Sequence, residues 1–201
     1  MITLNEIIKA SGIHSSRIFN VYIFGSRIYE TYSENSDWDV IIVANNSVES
    51  VEIDDGFINI HIYTPDRFKK DLDWHRINNL ECIYAPKWAI LKEEIDYRSS
   101  FKISLPKIRH SISHISSNSW VKAKKKIEQG DNRIGLKSLY HSIRIPIFAT
   151  QLLDSGYIDF VSTINLWDDV LKVGADWEQL FKEFKPLHNK VLSDFRKLAP
   201  K

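Results

Sequence analysis

The chain has 201 residues, 27 of them basic and 26 acidic, is 43% hydrophobic and carries a single cysteine, Cys82. Near-neutral charge excludes the overall basic footprint of a nucleic-acid-coating protein, so any such contact must be local. One cysteine excludes an intrachain disulfide and a cysteine zinc cluster and suits a reducing, cytoplasmic setting, while the lack of a bilayer-length apolar run or a signal-peptide pattern in Met1 to Gly12 points away from membranes.

Thr3 with Glu6 forms a capping box for an amphipathic helix through Leu4, Ile7 and Ile8, and Gly12 is a suitable terminator. Ile18 to Phe24 is rich in β-branched and aromatic residues, which predicts a buried strand delivering Gly25-Ser26 at its C-terminal end. A short helix is expected from Ser26 to about Tyr32, a polar loop from Ser33 to Ser36, a second central strand from Asp37 to Val43, and a turn over Ala44 to Ser47. The runs Val48 to Ile53 and Phe57 to Tyr63 flank Asp54-Asp55-Gly56, a strong hairpin signal. In the second of these strands Ile58, Ile60 and Ile62 share one face, leaving Asn59, His61 and Tyr63 on the other. Thr64-Pro65 starts a helix through Phe68 and Leu72 that extends toward Ile77, and Leu80 to Tyr84 and Trp88 to Leu91 read as short extended pieces.

Beyond a boundary between Glu94 and Ser104, the pattern becomes helical. Long helices are expected over Leu105 to Gln129 and Asn132 to Asp154, the latter kinked by Pro146, and shorter ones over Ser162 to Val173 and Trp177 to Leu198, the last divided by Pro186. The expected organisation is therefore α+β: a mixed sheet flanked by helices in residues 1–98, then a helical bundle in 99–201.

Two residues inside this frame carry chemistry by their spacing. Successive strand side chains alternate faces, so Asp37 and Asp39 converge on one spot, where two carboxylates repel unless a cation lies between them or they share a proton. Magnesium, or manganese in its place, is the natural guest of such a pair. Gly25-Ser26 suits the partner task, since glycine permits close backbone approach and a following helix would aim its amides at an anion. The plainer reading of the aspartates is a strand end with solvated acids.

Gly25-Ser26-Arg27 followed by Ser36-Asp37-Trp38-Asp39 on the next strand resembles the Gly-Ser … Asp-x-Asp signature of DNA polymerase β-like minimal nucleotidyltransferases. More narrowly, Gly-Ser-Arg-x-Tyr, Leu80-Glu81-Cys82 and the helix with Lys137, His141 and Arg144 look like a group of bacterial and phage nucleotidyltransferases, in which helices follow a catalytic α/β domain. The resemblance covers roughly residues 18 to 160. It implies transfer of a nucleoside monophosphate from a nucleoside triphosphate to a hydroxyl-bearing acceptor, which the sequence does not identify among RNA, protein and small molecules.

On this resemblance Asp37 and Asp39 hold magnesium, Gly25 and Ser26 bind the β and γ phosphates, and Arg27 adds a charge-assisted phosphate contact. Lys137, His141 and Arg144, spaced by four and three, share one helix face and read either as a clamp on the triphosphate or as a solvated face. Family members usually carry a third carboxylate on the next strand, where this chain has Asn59 and His61. Either that acid is replaced, with His61 taking the proton and Asn59 ligating metal through its carbonyl, or Glu52, Asp54 or Asp55 supplies it from another register. That departure motivates a rival reading, a weakened nucleotide- or RNA-binding regulatory protein of antitoxin type. Arg109 and His114 match a loose ribonuclease pattern. Glu81 reads as a substrate contact or a structural partner, and Lys122 with Lys124 to Lys126 as a solvated face or a nucleic-acid contact.

Overall fold

A computed structural model describes residues 2–46 and 48–200. Met1, at the head of the alternating N-terminal stretch, and Ser47, in the expected 44–47 turn, lie outside the described residues. The chain divides into two compact units, Met1–Lys102 and Ile103–Lys201.

The first unit is built on a five-stranded mixed sheet: β1 (Ile18–Phe24), β2 (Trp38–Ala44), β3 (Ser50–Asp54), β4 (Ile58–Tyr63) and β5 (Ile90–Glu93), in the spatial order β3-β4-β2-β1-β5. β1 is antiparallel to both β2 and β5, and β3 is antiparallel to β4, but β2 and β4 run parallel. Helix α1 (Leu4–Ser11) carries the Thr3/Glu6 capping box and ends at Gly12 with φ +64°. Helix α2 (Pro65–Asp73) is capped by the Thr64 side chain, which accepts from the Arg67 amide.

Because paired strand residues share a face, the register sorts the sheet into two surfaces. Val21, Ile23, Val40, Ile42 and Ile60 form one, all fully buried. Tyr22, Ile41 and His61 lie on the other, where Phe68 of α2 stacks on Tyr22 at 5.9 Å between ring centroids. Each such large apolar side chain taken from water contributes about 1.5–3 kcal/mol, enough to fix which face of β2 and β4 turns inward.

Three local expectations change. Gly25–Arg27 is a single 3-10 turn, not the start of a helix reaching Tyr32. The α2 pattern stops at Asp73 instead of running on toward Ile77, because His75 takes φ +57° and reverses the chain. Leu80 to Tyr84 is not extended: it belongs to helix α3 (Ile77–Ile83), which packs against β1 with all but one of its residues buried. A short helix α4 (Tyr97–Ser100) precedes the second unit.

That unit holds α5 (Leu105–Glu128), α6 (Asn132–Ser155), α7 (Ile164–Val173) and α8 (Trp177–Leu198). Trp120, Ala123, Leu139, Ile143, Val170, Leu180 and Phe184 form its core. A Cβ on Gly135 would collide with Ile127, so glycine sets the close approach of α5 and α6. Pro186 does not divide the last helix, since α8 is continuous through it. The carbonyl that loses its donor there belongs to Lys182, an exposed position where water can replace the bond.

Candidate active site

The site lies where β1 ends and β2 and β4 begin. Register places Phe24, Asp39, Asn59 and Asp54 in one lateral row across β1, β2, β4 and β3. Asp37 stands two residues before Asp39, just ahead of β2. Both aspartates are half-buried. Asp39 thus stands on an inner strand of the sheet, with Asp37 in the segment that leads into it.

Gly25 turns at the end of β1 with φ +76°, a conformation that favours glycine. Its Cα abuts the Asp39 side chain: a Cβ there would collide with the carboxylate, lying 2.8 Å from Cγ. The glycine therefore admits the acid as well as the turn. Ser26 is the next residue of the 3-10 turn and is half-buried.

Arg27 has partners that sequence reasoning did not give it. Its guanidinium lies between the rings of Tyr32 and Trp38, 4.4 Å from each centroid, and donates to the backbone carbonyls of Ser36 and Asp37. Flat stacking and a fork of donors suit arginine and not lysine. Arg27 so braces the segment leading into Asp37. Buried Ser36 completes the brace, its hydroxyl accepting from the Ser33 amide at 2.9 Å.

Register separates the candidates for a third ligand. Asn59 is the direct neighbour of Asp39 on the parallel strand. Its Oδ1 is buried and has no hydrogen-bond partner, an uncommon state for a polar atom because desolvation costs about 1–3 kcal/mol when uncompensated. Asp54 sits one strand further out, about 10 Å from Asp39 at the usual strand spacing, and its Oδ1 accepts from the Gly56 amide. Asp55 caps the hairpin, accepting from Ile58 and Phe57, and those bonds lower its pKa. Glu52 pairs with His61, one step deeper in the sheet. His61 itself faces Ile41 and packs against Phe24 and Tyr63, with ring centroids at 5.7 and 6.5 Å. Asp54 and Asp55 accept amides of the hairpin and Glu52 lies beside His61, whereas Asn59 is the direct strand neighbour of Asp39.

Among the described residues no cluster of three His, Cys, Asp or Glu side chains suits a metal. The donor set Asp37, Asp39 and Asn59 is nevertheless all oxygen, with two charges and one buried carbonyl lacking a donor. That set fits a hard cation such as magnesium.

Glu81, flagged by its apolar surroundings, is fully buried on α3 and accepts a hydrogen bond from the Tyr29 hydroxyl. Tyr29 is the tyrosine of Gly-Ser-Arg-x-Tyr, so two stretches 52 residues apart meet in one bond that straps the Gly25–Arg27 turn to α3. Only the odd polarity of Glu81 hinted at this. Cys82 beside it is buried, and burial with the nearby Glu81 charge pushes its thiol well up, so it is an inert core residue.

In the helical unit, Lys137, His141 and Arg144 lie on α6 but do not form a uniform basic stripe. Arg144 is 3% exposed, with its guanidinium 4.8 Å from the Phe148 ring, and its Nε donates to His141 Nδ1 at 3.3 Å. His141 is held well below its ordinary pKa by desolvation and then by Arg144 and two lysines, so it is neutral with its proton on Nε2. The solvated-face reading fails for Arg144. Arg109 donates to the carbonyls of Arg196 and Ala199 at 2.6 and 2.7 Å, capping the end of α8, while His114 contacts Asn118. A capping arginine is accounted for without the ribonuclease pattern.

A family model described as nucleotidyltransferase domain matches residues 4–111. Among solved structures, the chain is similar to a nucleotidyltransferase-like protein from Exiguobacterium sibiricum 255-15, at 13% identity and a TM-score of 0.36, over 97% of this chain and 72% of that one. No curated protein matches the chain. Among the described residues no helix is long and apolar enough to cross a membrane.

Proposed function

The chain belongs to the nucleotidyltransferase domain family, and from that premise we propose that it is a magnesium-dependent enzyme transferring a nucleoside monophosphate from a nucleoside triphosphate to an acceptor hydroxyl, with release of pyrophosphate. The observation that carries this reading is the row formed by Asp39 and Asn59 with Asp37 at its head, set against the Gly25 turn. Magnesium, or manganese in its place, held by Asp37, Asp39 and the Asn59 carbonyl would supply charge neutralisation on the triphosphate as the transferred phosphorus is attacked.

The chain's own residues do the rest. Gly25 and Ser26 present the turn and a hydroxyl to the β and γ phosphates, and Arg27 holds the segment before Asp37 so that the two carboxylates keep their spacing. The attacking hydroxyl gives up its proton to a carboxylate of the aspartate pair or to His61, which lies two residues along β4 from Asn59 on the same face. The acceptor is an RNA, a protein or a small molecule bearing that hydroxyl.

Incubation with α-labelled triphosphates, magnesium and acceptors from each of the three classes tests the reading. Label transfer with pyrophosphate release is expected, and the double change Asp37→Asn with Asp39→Asn should lower the rate roughly a thousandfold, corresponding to several kcal/mol of transition-state stabilisation. Nucleotide binding without transfer or pyrophosphate release under all these conditions would overturn it in favour of a regulatory nucleotide-binding protein.

A further inference from the structure

A chain of three grooves runs along α5 and the end of α8 in the helical unit. One of about 780 Å³ is lined by His110, Ser117, Asn118 and Arg196 among others, one of about 490 Å³ shares Arg109 and Arg196 with it, and one of about 460 Å³ shares Asn118 and continues to Gln129. Shared lining residues make the three one trench. Residues 109 to 129 of α5 give it a length of about 30 Å.

Its charge is one-sided. Arg109, Arg196, Lys197, Lys122, Lys125 and Lys126 line it, and no aspartate or glutamate does, in a chain whose basic and acidic residues nearly balance. Lys126 and Lys197 are paired with Asp131 and Asp194 at 3.0 and 2.8 Å, whereas no ion pair engages Lys122 or Lys125 among the described residues. A lysine-bearing helix face is ordinarily just solvated. This one differs in being concave, lacking acids throughout and repeating: His110, His114, Asn118 and Lys122 follow at four-residue steps, each a rise of about 6 Å, comparable to the separation of successive phosphates along a nucleic-acid strand. The His110 and His114 rings lie nearly parallel, 17° apart with centroids at 6.1 Å, and both are exposed.

We propose that this trench binds a single strand of RNA, with Lys122 and Lys125 on the phosphates and the exposed imidazoles offering faces for base stacking. RNA is favoured over DNA because the floor carries hydroxyls and amides, Ser117, Asn118 and Gln129, suited to the 2′-hydroxyl that distinguishes the two. Binding here is a property of the helical unit's own face. It does not depend on nucleotidyl transfer.

Fluorescence anisotropy with a fluorescein-labelled, unstructured RNA of about 20 nucleotides tests it. Saturable binding that weakens steeply with salt is expected. Lys122→Glu with Lys125→Glu should weaken it at least about tenfold, whereas Lys172→Glu with Lys182→Glu, the same charge change on α7 and the other end of α8, should change it less than about twofold. The substituted lysines are exposed, and circular dichroism checks that each variant is folded. The Asp37→Asn, Asp39→Asn chain should bind RNA like the parent, which separates this result from the fate of the transfer reading. Absence of binding, or equal loss in both lysine pairs, overturns the trench, and equal affinity for a DNA strand of the same sequence overturns the assignment to RNA.

Discussion

At the scale of single residues, Gly25 and Asn59 decide what the aspartate pair can do. A methyl group at Gly25 meets the Asp39 carboxylate and must also adopt φ +76°, so Gly25→Ala should cost about 1–3 kcal/mol in strain and displace the acid. Its expected signature is loss of transfer out of proportion to a modest drop in melting temperature, measured by parallel kinetics and calorimetry. Asn59 offers a neutral oxygen where a carboxylate would add charge. Asn59→Asp is therefore expected to lower the magnesium concentration needed for half-maximal activity, and Asn59→Leu, which keeps the volume without the oxygen, to raise it, each by roughly tenfold, about 1.4 kcal/mol. An unchanged magnesium dependence in both variants would place the cation away from this strand.

At the scale of elements, the Tyr29–Glu81 bond joins the Gly25–Arg27 turn to α3, and both ends are buried. Tyr29→Phe removes a donor from a buried acceptor and should destabilise the protein by about 1–3 kcal/mol in urea unfolding, while raising the KM for the triphosphate as the turn loosens. The two central strands and the Gly-Ser turn were legible in the sequence because Ile18 to Phe24 and Asp37 to Val43 are long enough, and β-branched enough, to exclude a helix. Helix α3 was not, because a seven-residue helix with six residues buried shows no polar face and so no period to read. The bracing role of Arg27 was not legible for another reason. Its cage consists of Tyr32 and Trp38, two aromatics that any core might use, and only their placement on either side of a turn makes a socket for a guanidinium. The oddity of Asn59 on an apolar strand was legible in the sequence, but only strand register makes it the direct neighbour of Asp39.

At the scale of the whole molecule, stability should depend on pH through the helical unit. His188 is buried against Trp120, with ring centroids 4.6 Å apart, and its Nε2 meets the Ser116 hydroxyl at 3.2 Å. Burial, followed by the Lys185 charge, lowers its pKa from 6.5 to about 4. A depressed folded-state value means that folding favours the neutral ring. The contribution is complete above pH 6.5 and is lost as pH falls toward 4. His141 shifts in the same direction. Melting temperature should therefore fall over that interval, with quenching of Trp120 fluorescence as His188 gains its proton, and His188→Leu should flatten the dependence; an equal slope in the variant would assign it to other groups. One further consequence concerns the order in which the molecule assembles. Gly25, Asp37 and Asp39 are brought together by a short connection between neighbouring antiparallel strands, and Asn59 joins through the next hairpin, whereas the Tyr29–Glu81 strap must close a loop of 52 residues. Loop-closure entropy grows with that separation, so during refolding or synthesis the carboxylate pair forms early and the Gly25–Arg27 turn is locked to α3 late.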